Sequence, residues 1–419
     1  MKAAVIIPFA AAAAGLFRQV PLLSDELPSW PALDSIVSEA KNSLSLTKDS
    51  FDPTVDELLD PGNLHVTGPH RKPNLTIYEL ISKSNHTTKF AKLVGESDEL
   101  VELLNSTKVN STLFVPVDSA FDKIPDDDKK PSKEFVEALL KYHVGDDAYG
   151  VQKLVPMHTV PTVLKEGWLG GRAQRLRVRV GLMGIHVNLH SKVMVANVPA
   201  TNGVVHLVNH ILVPPAMVGR EISLFPTAFS TLLHAYEKTD FVHFIHHVPM
   251  TEGSTVFAPD NAAFAKLGAR ANAFLFNTEK GLKCLRALLK YQIVANVTVY
   301  SDVVYNGTAE EGEVGREMMD KEHIELETLL DGEGMGVDVF KWHGLIAGMR
   351  VNKRVGVKVQ DVIAKNGVVQ VVDHVPVPPH KHKKEQQQEL DFEGDISVEE
   401  LEERLWPYVE DEEMGDDEL

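Results

Sequence analysis

The amino-acid sequence predicts an α+β protein assembled from two copies of one module. Three observations carry that prediction. A trio of short blocks occurs twice in the same order, strand and helix signals mix without a strict βαβ rhythm, and nearly all the net charge sits in the C-terminal tail. A chain of 419 residues is too long for one ordinary core and suggests two or three domains. Its 43% hydrophobic and 24% charged content is that of a soluble globular protein. The formal charge is −18, but Glu385–Leu419 holds 16 acids and one Arg, or −15. The other residues carry 44 acids against 41 bases, about −3, so the acidity belongs to the tail. Nucleic acid is therefore not the expected partner, since a phosphate backbone rewards clustered Lys and Arg.

The repeat is read block by block. Thr112-Leu-Phe-Val-Pro-Val-Asp-Ser-Ala-Phe121 recurs as Thr255-Val-Phe-Ala-Pro-Asp-Asn-Ala-Ala-Phe264. Leu139-Leu-Lys-Tyr-His-Val144 recurs as Leu288-Leu-Lys-Tyr-Gln-Ile293. The third block, Asn202-Gly-Val-Val-His-Leu-Val-Asn-His-Ile-Leu-Val-Pro-Pro215, recurs as Asn366-Gly-Val-Val-Gln-Val-Val-Asp-His-Val-Pro-Val-Pro-Pro379. The offsets are 143, 149 and 164 residues, so insertions fall between blocks, where loops belong. The first block begins as a β-branched and aromatic strand stopped by Pro116 or Pro259, after which Asp118 or Asp260 can cap a short helix. The second ends an amphipathic helix and exits as a strand. In the third, Asn-Gly turns into an alternating strand that Pro-Pro stops.

On these residues the chain resembles the fasciclin (FAS1) family. The three blocks look like its H1, Tyr-His and H2 motifs, over Asn74–Pro215 and Phe225–Pro379. The resemblance implies two tandem modules of a secretory type, each a β-rich wedge or sandwich flanked by helices. It implies adhesion, matrix contact or ligand binding, with no catalytic residues and no cofactor. Residues 74–218 and 219–379 are the expected modules. Tyr142 and His143 match the family pattern and are candidate interaction residues. Gln292 and Gln370 replace His143 and His206 in the second copy, and the expectation is that each pair shares one polar network near the core. The Asp-Ile pair linked to integrin contact in some modules is missing from Val195–Ala200 and only approximated by Asp361-Val-Ile363.

The ends carry separate signals. Residues 1–17 look like a signal peptide: Lys2, an apolar run from Ala3 to Leu16, and small residues at Ala12–Ala14. The N-x-S/T pattern at Asn74, Asn85, Asn105, Asn110, Asn296 and Asn306 marks candidate N-glycosylation sites. No later run reaches the length of a membrane span, so no integral span is expected. Residues 18–73 read as a linker arm and 380–419 as an acidic, mostly disordered tail. Within that tail Ser397-Val-Glu-Glu400 fits a capping box, and Leu401, Leu405 and Trp406 lie on the apolar stripe of a helix that Pro407 should limit to two or three turns. The last four residues, Asp416-Asp-Glu-Leu419, resemble a luminal retrieval address. An extracellular or cell-surface location is expected, with the lumen of the endoplasmic reticulum or the vacuole as alternatives.

Candidate chemistry is sparse. Asp240, His243, His246 and His247 have helical metal-ligand spacing, but Phe241, Phe244 and Ile245 make the same segment a core stripe with histidines on its wet face. The single cysteine, Cys284, excludes an intrachain disulfide and reads as a buried small hydrophobe. Arg172, Arg175, Arg177 and Arg179 alternate as an exposed strand face that could hold an acidic glycan or the acidic tail itself. Protein or glycan partners are expected. A small-molecule carrier or enzyme using a cleft in one module, and a luminal quality-control factor, are the alternatives.

Overall fold

The computed structural model describes residues 74–124, 131–181, 184–247, 250–306, 316–317, 321–342, 345–379 and 396–416. The expected leader at 1–17, the arm at 18–73, His380–Lys384 and the final Asp-Glu-Leu lie outside the described residues. Contacts divide the chain into two units. Glu166–Arg172 and Pro215–Leu419 form the second, and the rest up to Pro214 forms the first.

The first unit opens with helices α1 (Ile77–Lys83), α2 (Thr88–Gly95) and α3 (Asp98–Asn105). Then come β1 (Ser111–Pro116), α4 (Asp118–Phe121), α5 (Lys133–Tyr142), β2 (Val144–Gly145) and α6 (Val151–Leu154). Strands β3 (Thr159–Lys165), β4 (Ala173–Gly181), β5 (Gly184–Val187), β6 (Ser191–Ala200) and β7 (Gly203–Val208) complete it. The seven strands close into a barrel in chain order, more complete than the wedge the resemblance implied, and closure leaves no sheet edge unpaired. One core lies between the helices and the sheet, around Phe90, Leu104, Leu113 and Leu140. A second, around Phe114, Tyr142, Leu176 and Val178, packs against the opposite side of β1 and β4.

The second unit repeats the plan. It runs α7 (Val218–Ser223), α8 (Pro226–Lys238), α9 (Phe241–His247), β8 (Ser254–Pro259), α10 (Asn261–Ala265), α11 (Ala269–Asn277) and α12 (Glu279–Tyr291). Strands β9 (Ile293–Ala295), β10 (Val297–Val299), β11 (Val303–Asn306) and β12 (Arg316–Glu317) follow. Next are β13 (Lys321–Glu327), β14 (Gly334–Trp342), β15 (Leu345–Val351), β16 (Val355–Ala364), β17 (Gly367–Val372) and the terminal α13 (Val398–Asp416). Its main sheet has the order β13-β14-β15-β16-β17-β8-β9, and β10–β12 form a separate three-stranded sheet. That small sheet lies in the interval where the offset jumps from 149 to 164, so the inserted residues build an accessory three-stranded sheet and leave the shared plan intact.

In both units the first strand pairs in parallel with the last, β1 with β7 and β8 with β17, and this pairing seals the module. The Asn-Gly turn of the third block begins each final strand. Gly203 and Gly367 both adopt φ +148°, and a Cβ there would stand 1.8 Å from the Ser111 carbonyl oxygen or 2.0 Å from that of Ser254. The preceding amides anchor the turn. Asn202 accepts from Ile77 N at 2.9 Å and donates to Leu104 and Ser106 carbonyls, while Asn366 accepts from Val218 N at 2.8 Å. Asp260 caps α10 through Ala263 N, as its position predicts. Asp118 does otherwise. Its carboxylate accepts from Thr88 N and Lys89 N and so caps α2, a partner 30 residues away in sequence, as Asn261 does for Thr231 N in the second copy.

Gly203→Ala and Gly367→Ala should each destabilise their own unit by about 3 kcal/mol or more, because backbone must move and a rare φ must be held by a Cβ-bearing residue. Denaturant unfolding followed by hydrogen exchange, unit by unit, checks this. Equal loss in both units from either change would contradict it.

Candidate functional site

The Tyr-His motif turns out to be internal. Tyr142 is fully buried, its hydroxyl donating to Arg175 O at 3.0 Å and accepting from Asn188 Nδ2 at 3.3 Å. Tyr291 repeats this with Gly334 O at 3.2 Å and Asn352 Nδ2 at 2.8 Å. Asn188 and Asn352 hold left-handed turns, at φ 55° and 49°, that only a few residue types tolerate. The tyrosines therefore pin the long helix to the hairpin turns and are not surface contacts.

His143 is also fully buried. Its Nδ1–H donates to Leu139 O at 2.7 Å, its Nε2 accepts from Leu212 N at 3.0 Å, and its ring lies 5.1 Å from Phe90. His206 bonds elsewhere, accepting from Asn197 N at 3.3 Å and donating to Tyr149 O at 2.9 Å, and stacks on Phe114. The expected network joining the two positions does not form, because the motifs lie on opposite sides of β1 and each ring is saturated by nearby backbone. Gln370 reproduces His206 group for group. It accepts from Asp361 N at 3.0 Å and donates to Val299 O at 2.9 Å. Gln292 does not reproduce His143, since both of its side-chain polar atoms are buried without a partner. Where Leu212 offers an N–H, the second copy has Pro376, which has none. Asp361, the residue nearest to an Asp-Ile adhesion pair, is fully buried at φ 59° and spends its carboxylate on Ser301 N and Oγ.

The arginine cluster is only partly a surface. Arg175 is 5% exposed, with Nε donating to Thr159 Oγ1 at 2.6 Å, so it shares the face of Arg177 and Arg179 but is covered there. Arg172 belongs to the second unit, its guanidinium 5.7 Å from the Tyr305 ring centre and 3.9 Å from Glu252. Arg177 is half-buried and Arg179 exposed. The hairpin register sets His186 opposite Arg179, and Lys192 opposite His186. The outward basic face is thus Arg177, Arg179, His186 and Lys192. Its last two members lie apart from the arginine run, and only pairing across the Gly184 turn would have found them.

The described helix of the acidic tail packs within the second unit. Ser397 Oγ accepts from Glu400 N at 3.1 Å and starts α13, which packs on α11 and α12 of the second unit. Leu401 and Leu405 are fully buried there, and Trp406 lies with Lys280 Nζ 4.3 Å from its ring centre. The helix continues through Pro407 to Asp416, longer than expected. Proline removes one bond, to the carbonyl of Glu403, whose residue is exposed and can be hydrated. Cys284, one turn after Lys280 on α12, is buried, and burial followed by the Glu402 charge pushes its thiol up to about 11. It is unreactive as placed.

Among the described residues no group of three or more His, Cys, Asp or Glu is placed to hold a metal ion, and no helix is long and apolar enough to cross a membrane. Asp240 and His243 come within 4.0 Å, and the side chains of His246 and His247 lie outside the description. An open cleft of about 500 Å³ in the second unit is lined by Thr231, His234, Asn261, Phe264, Asn272 and Phe276 among others, with the His234 and Phe276 rings stacked. Asn74, Asn85 and Asn110 are exposed. Asn105 and Asn296 are half-buried, and Asn105 Oδ1 accepts from Thr76 Oγ1 at 2.7 Å. The side chain of Asn306 lies outside the description.

The family model described as Fasciclin domain matches twice, over residues 85–214 and 227–378. The chain belongs to the fasciclin family. Aurofusarin biosynthesis cluster protein S of Gibberella zeae is 28% identical over 365 residues, which are 82% of this chain and 88% of that protein. Transforming growth factor-beta-induced protein ig-h3 of Sus scrofa is 30% identical over 39% of this chain, and stabilin-2 of Rattus norvegicus 24% identical over 44%. These matches span 21% and 13% of the two animal proteins. A solved FAS1 domain pair from the insect cell adhesion molecule Fasciclin I aligns over 68% of this chain and 95% of that one, at 20% identity and a TM-score of 0.32.

The two fasciclin modules differ in how they meet acid. Burial lowers His143 and His206 of the first module from 6.5 to about 4. The unfolded chain therefore takes up those protons first, so their contribution is full above pH 6.5 and is lost between pH 6.5 and 4, on the order of 3 kcal/mol per ring. In the second module, glutamines stand at both positions, and burial pushes Glu221 up to about 7, which favours the folded form as pH falls. Hydrogen exchange at pH 7 and pH 4.5 should show the first module alone losing protection, and His206→Gln should remove part of that loss, the rest belonging to His143 and to His210, which burial also lowers to about 4. Parallel loss in both modules would refute the assignment.

Gln292→Met, which keeps the shape and deletes the unpartnered atoms, should raise the denaturation midpoint of the second module by the equivalent of about 1–3 kcal/mol. Gln292→His should stabilise only when combined with Pro376→Leu, which restores the missing donor. An equal effect without the second change would show that the backbone N–H is not the deciding group.

Proposed function

We propose that this fasciclin protein is a non-enzymatic adhesion or interaction protein of the cell surface, the matrix or the secretory lumen, with protein or acidic-glycan partners. The observation that carries the proposal is the fate of the family motifs. Tyr142, His143, His206, Asp361 and Gln370 are all buried and hydrogen-bonded within the fold, so what each module presents outward is its strand and helix faces. Two modules in series let two weak contacts act together through effective concentration. The basic face of Arg177, Arg179 and Lys192, with His186 between them lowered by burial and so neutral at pH 7, supplies a charged patch suited to sulfate or carboxylate groups. Relatives named as a growth-factor-induced protein and a stabilin, matched over these modules, support the adhesion class. Signal-directed entry with glycans at Asn74, Asn85 and Asn110 completes the reading.

The full chain, secreted from a eukaryotic host, should bind a sulfated-glycan column and elute with salt. Arg179→Ala with Lys192→Ala should elute several-fold earlier in salt concentration, while a control at Lys153 should not. Elution unchanged by the double substitution would remove the basic face from the proposal. Glycosidase treatment of the same material should lower its mass and mark Asn74, Asn85 and Asn110.

A second reading, a carrier or enzyme for a small molecule, is favoured by one relative named for a biosynthesis cluster and by the cleft beside His234 and Phe276. The cleft is open and shallow where a carrier would enclose its ligand, which places this reading second.

A further inference from the structure

The folded modules do not present their N-x-S/T sites alike. Transfer of a glycan asks two things of such a site. The Asn Nδ2 must be able to attack, and the Ser or Thr hydroxyl two residues on must be free for the transferase to hold. Exposure of the asparagines ranks Asn74, Asn85 and Asn110 above Asn105 and Asn296. The hydroxyls give a different order.

Four of the five described hydroxyls are built into the fold. Thr76 Oγ1 caps α1, accepting from Glu79 N at 3.2 Å and donating to Asn105 Oδ1 at 2.7 Å. Thr87 is fully buried, and its Oγ1 donates to Ile81 O at 2.9 Å. Thr112 is fully buried on the sealing strand β1. Its Oγ1 donates to Asp147 O and accepts from Tyr149 N, both at 2.7 Å. Thr298 is fully buried on β10, in register with Tyr305 of β11. Thr107 is the exception, exposed and outside any helix or strand. The bond from Thr76 is accepted by Oδ1 of Asn105 and not by Nδ2, the nitrogen that would carry the glycan.

We propose that folding closes the sites at Asn74, Asn85, Asn110 and Asn296 and leaves Asn105 as the acceptor that the finished first module still offers. In the reaction, Nδ2 of Asn105 attacks C1 of a lipid-diphosphate-linked oligosaccharide. The C1–O bond breaks, its electron pair leaves with the lipid diphosphate, and Nδ2 gives one proton to a base of the transferase. The four closed sites take the same step only while their module is unfolded, so glycans there precede the pairing of first and last strands. The proposal rests on the secretory reading for its setting alone. The test, made outside the cell, succeeds or fails without that reading.

The full chain, made in a bacterial host that lacks a transferase and then folded, is given a purified single-subunit transferase and lipid-diphosphate-linked chitobiose. Occupancy is read by peptide mass spectrometry. Short synthetic peptides centred on the same five asparagines are the unfolded reference, and all five should be accepted. Relative to its peptide, Asn105 in the folded chain should react within about tenfold. Asn74, whose Thr76 is only half-buried, should be slower by more than about tenfold, and the other three by on the order of 100-fold. Gly203→Ala, which loosens the first module beside Ser111, should raise modification at Asn85 and Asn110 several-fold and leave Asn296 of the second module unchanged. Three results overturn the proposal. One is Asn85, Asn110 or Asn296 reacting in the folded chain as fast as in its peptide, and another is refusal of Asn105 by the folded chain. The third is refusal of the peptides of the closed sites, which would put the block in their sequence and not in the fold.

Discussion

Each module depends on one long-range event, the parallel pairing of its first strand with its last. Strand β1 cannot find β7, or β8 find β17, until nearly the whole module has been threaded between them. The loop-closure entropy is met before any of those contacts forms, which makes this the step on which the fold turns. The geometry at the junction is correspondingly strict. The backbone of Ser111 or Ser254 approaches so closely that only glycine fits opposite, and the amide just before it ties the same corner to the opening helix. Everything else, including the accessory sheet β10–β12, can be lengthened or exchanged because it hangs between two sealed ends.

That architecture explains which features were legible in the sequence. The three blocks are the sealing strands and the long helix, where side-chain choice is narrow, so they survived duplication in recognisable form. Strand ends at Pro116 and Pro259, the Asn-Gly turns and the capping by Asp260 are local, and local chemistry is readable without a structure. Partnerships across the chain were not. Asp118 looked like the cap of its own helix but serves α2, and Arg175 looked exposed because alternation gives the face of a strand without saying what covers it. Tyr142 and His143 matched a family motif, and a motif marks constraint without telling a binding residue from a structural one. His186 and Lys192 were missed because a basic face assembled from three strands leaves no run in the sequence.

The duplication also separates what the fold requires from what it tolerates. Position 206 needs one acceptor and one donor, which imidazole and carboxamide both supply, and both copies keep a full set of bonds there. Position 143 needs a facing backbone N–H, and where proline removed it the glutamine was left with nothing to bond. A buried amide without partners costs stability but not topology, since the strand pairing beside it is unchanged. Positions 143 and 206 are thus two separate local solutions, and such sites can drift one at a time.

The same logic bears on α13. The helix lies beyond the family's matched region, yet Leu401, Leu405 and Tyr408 belong to the same buried core as the strands of the second module. The acidity that dominates the charge of the whole chain has one local contact here, Glu402 on Lys280 of α12, while Glu400 pairs with Arg404 within the helix and the buried leucines supply the packing.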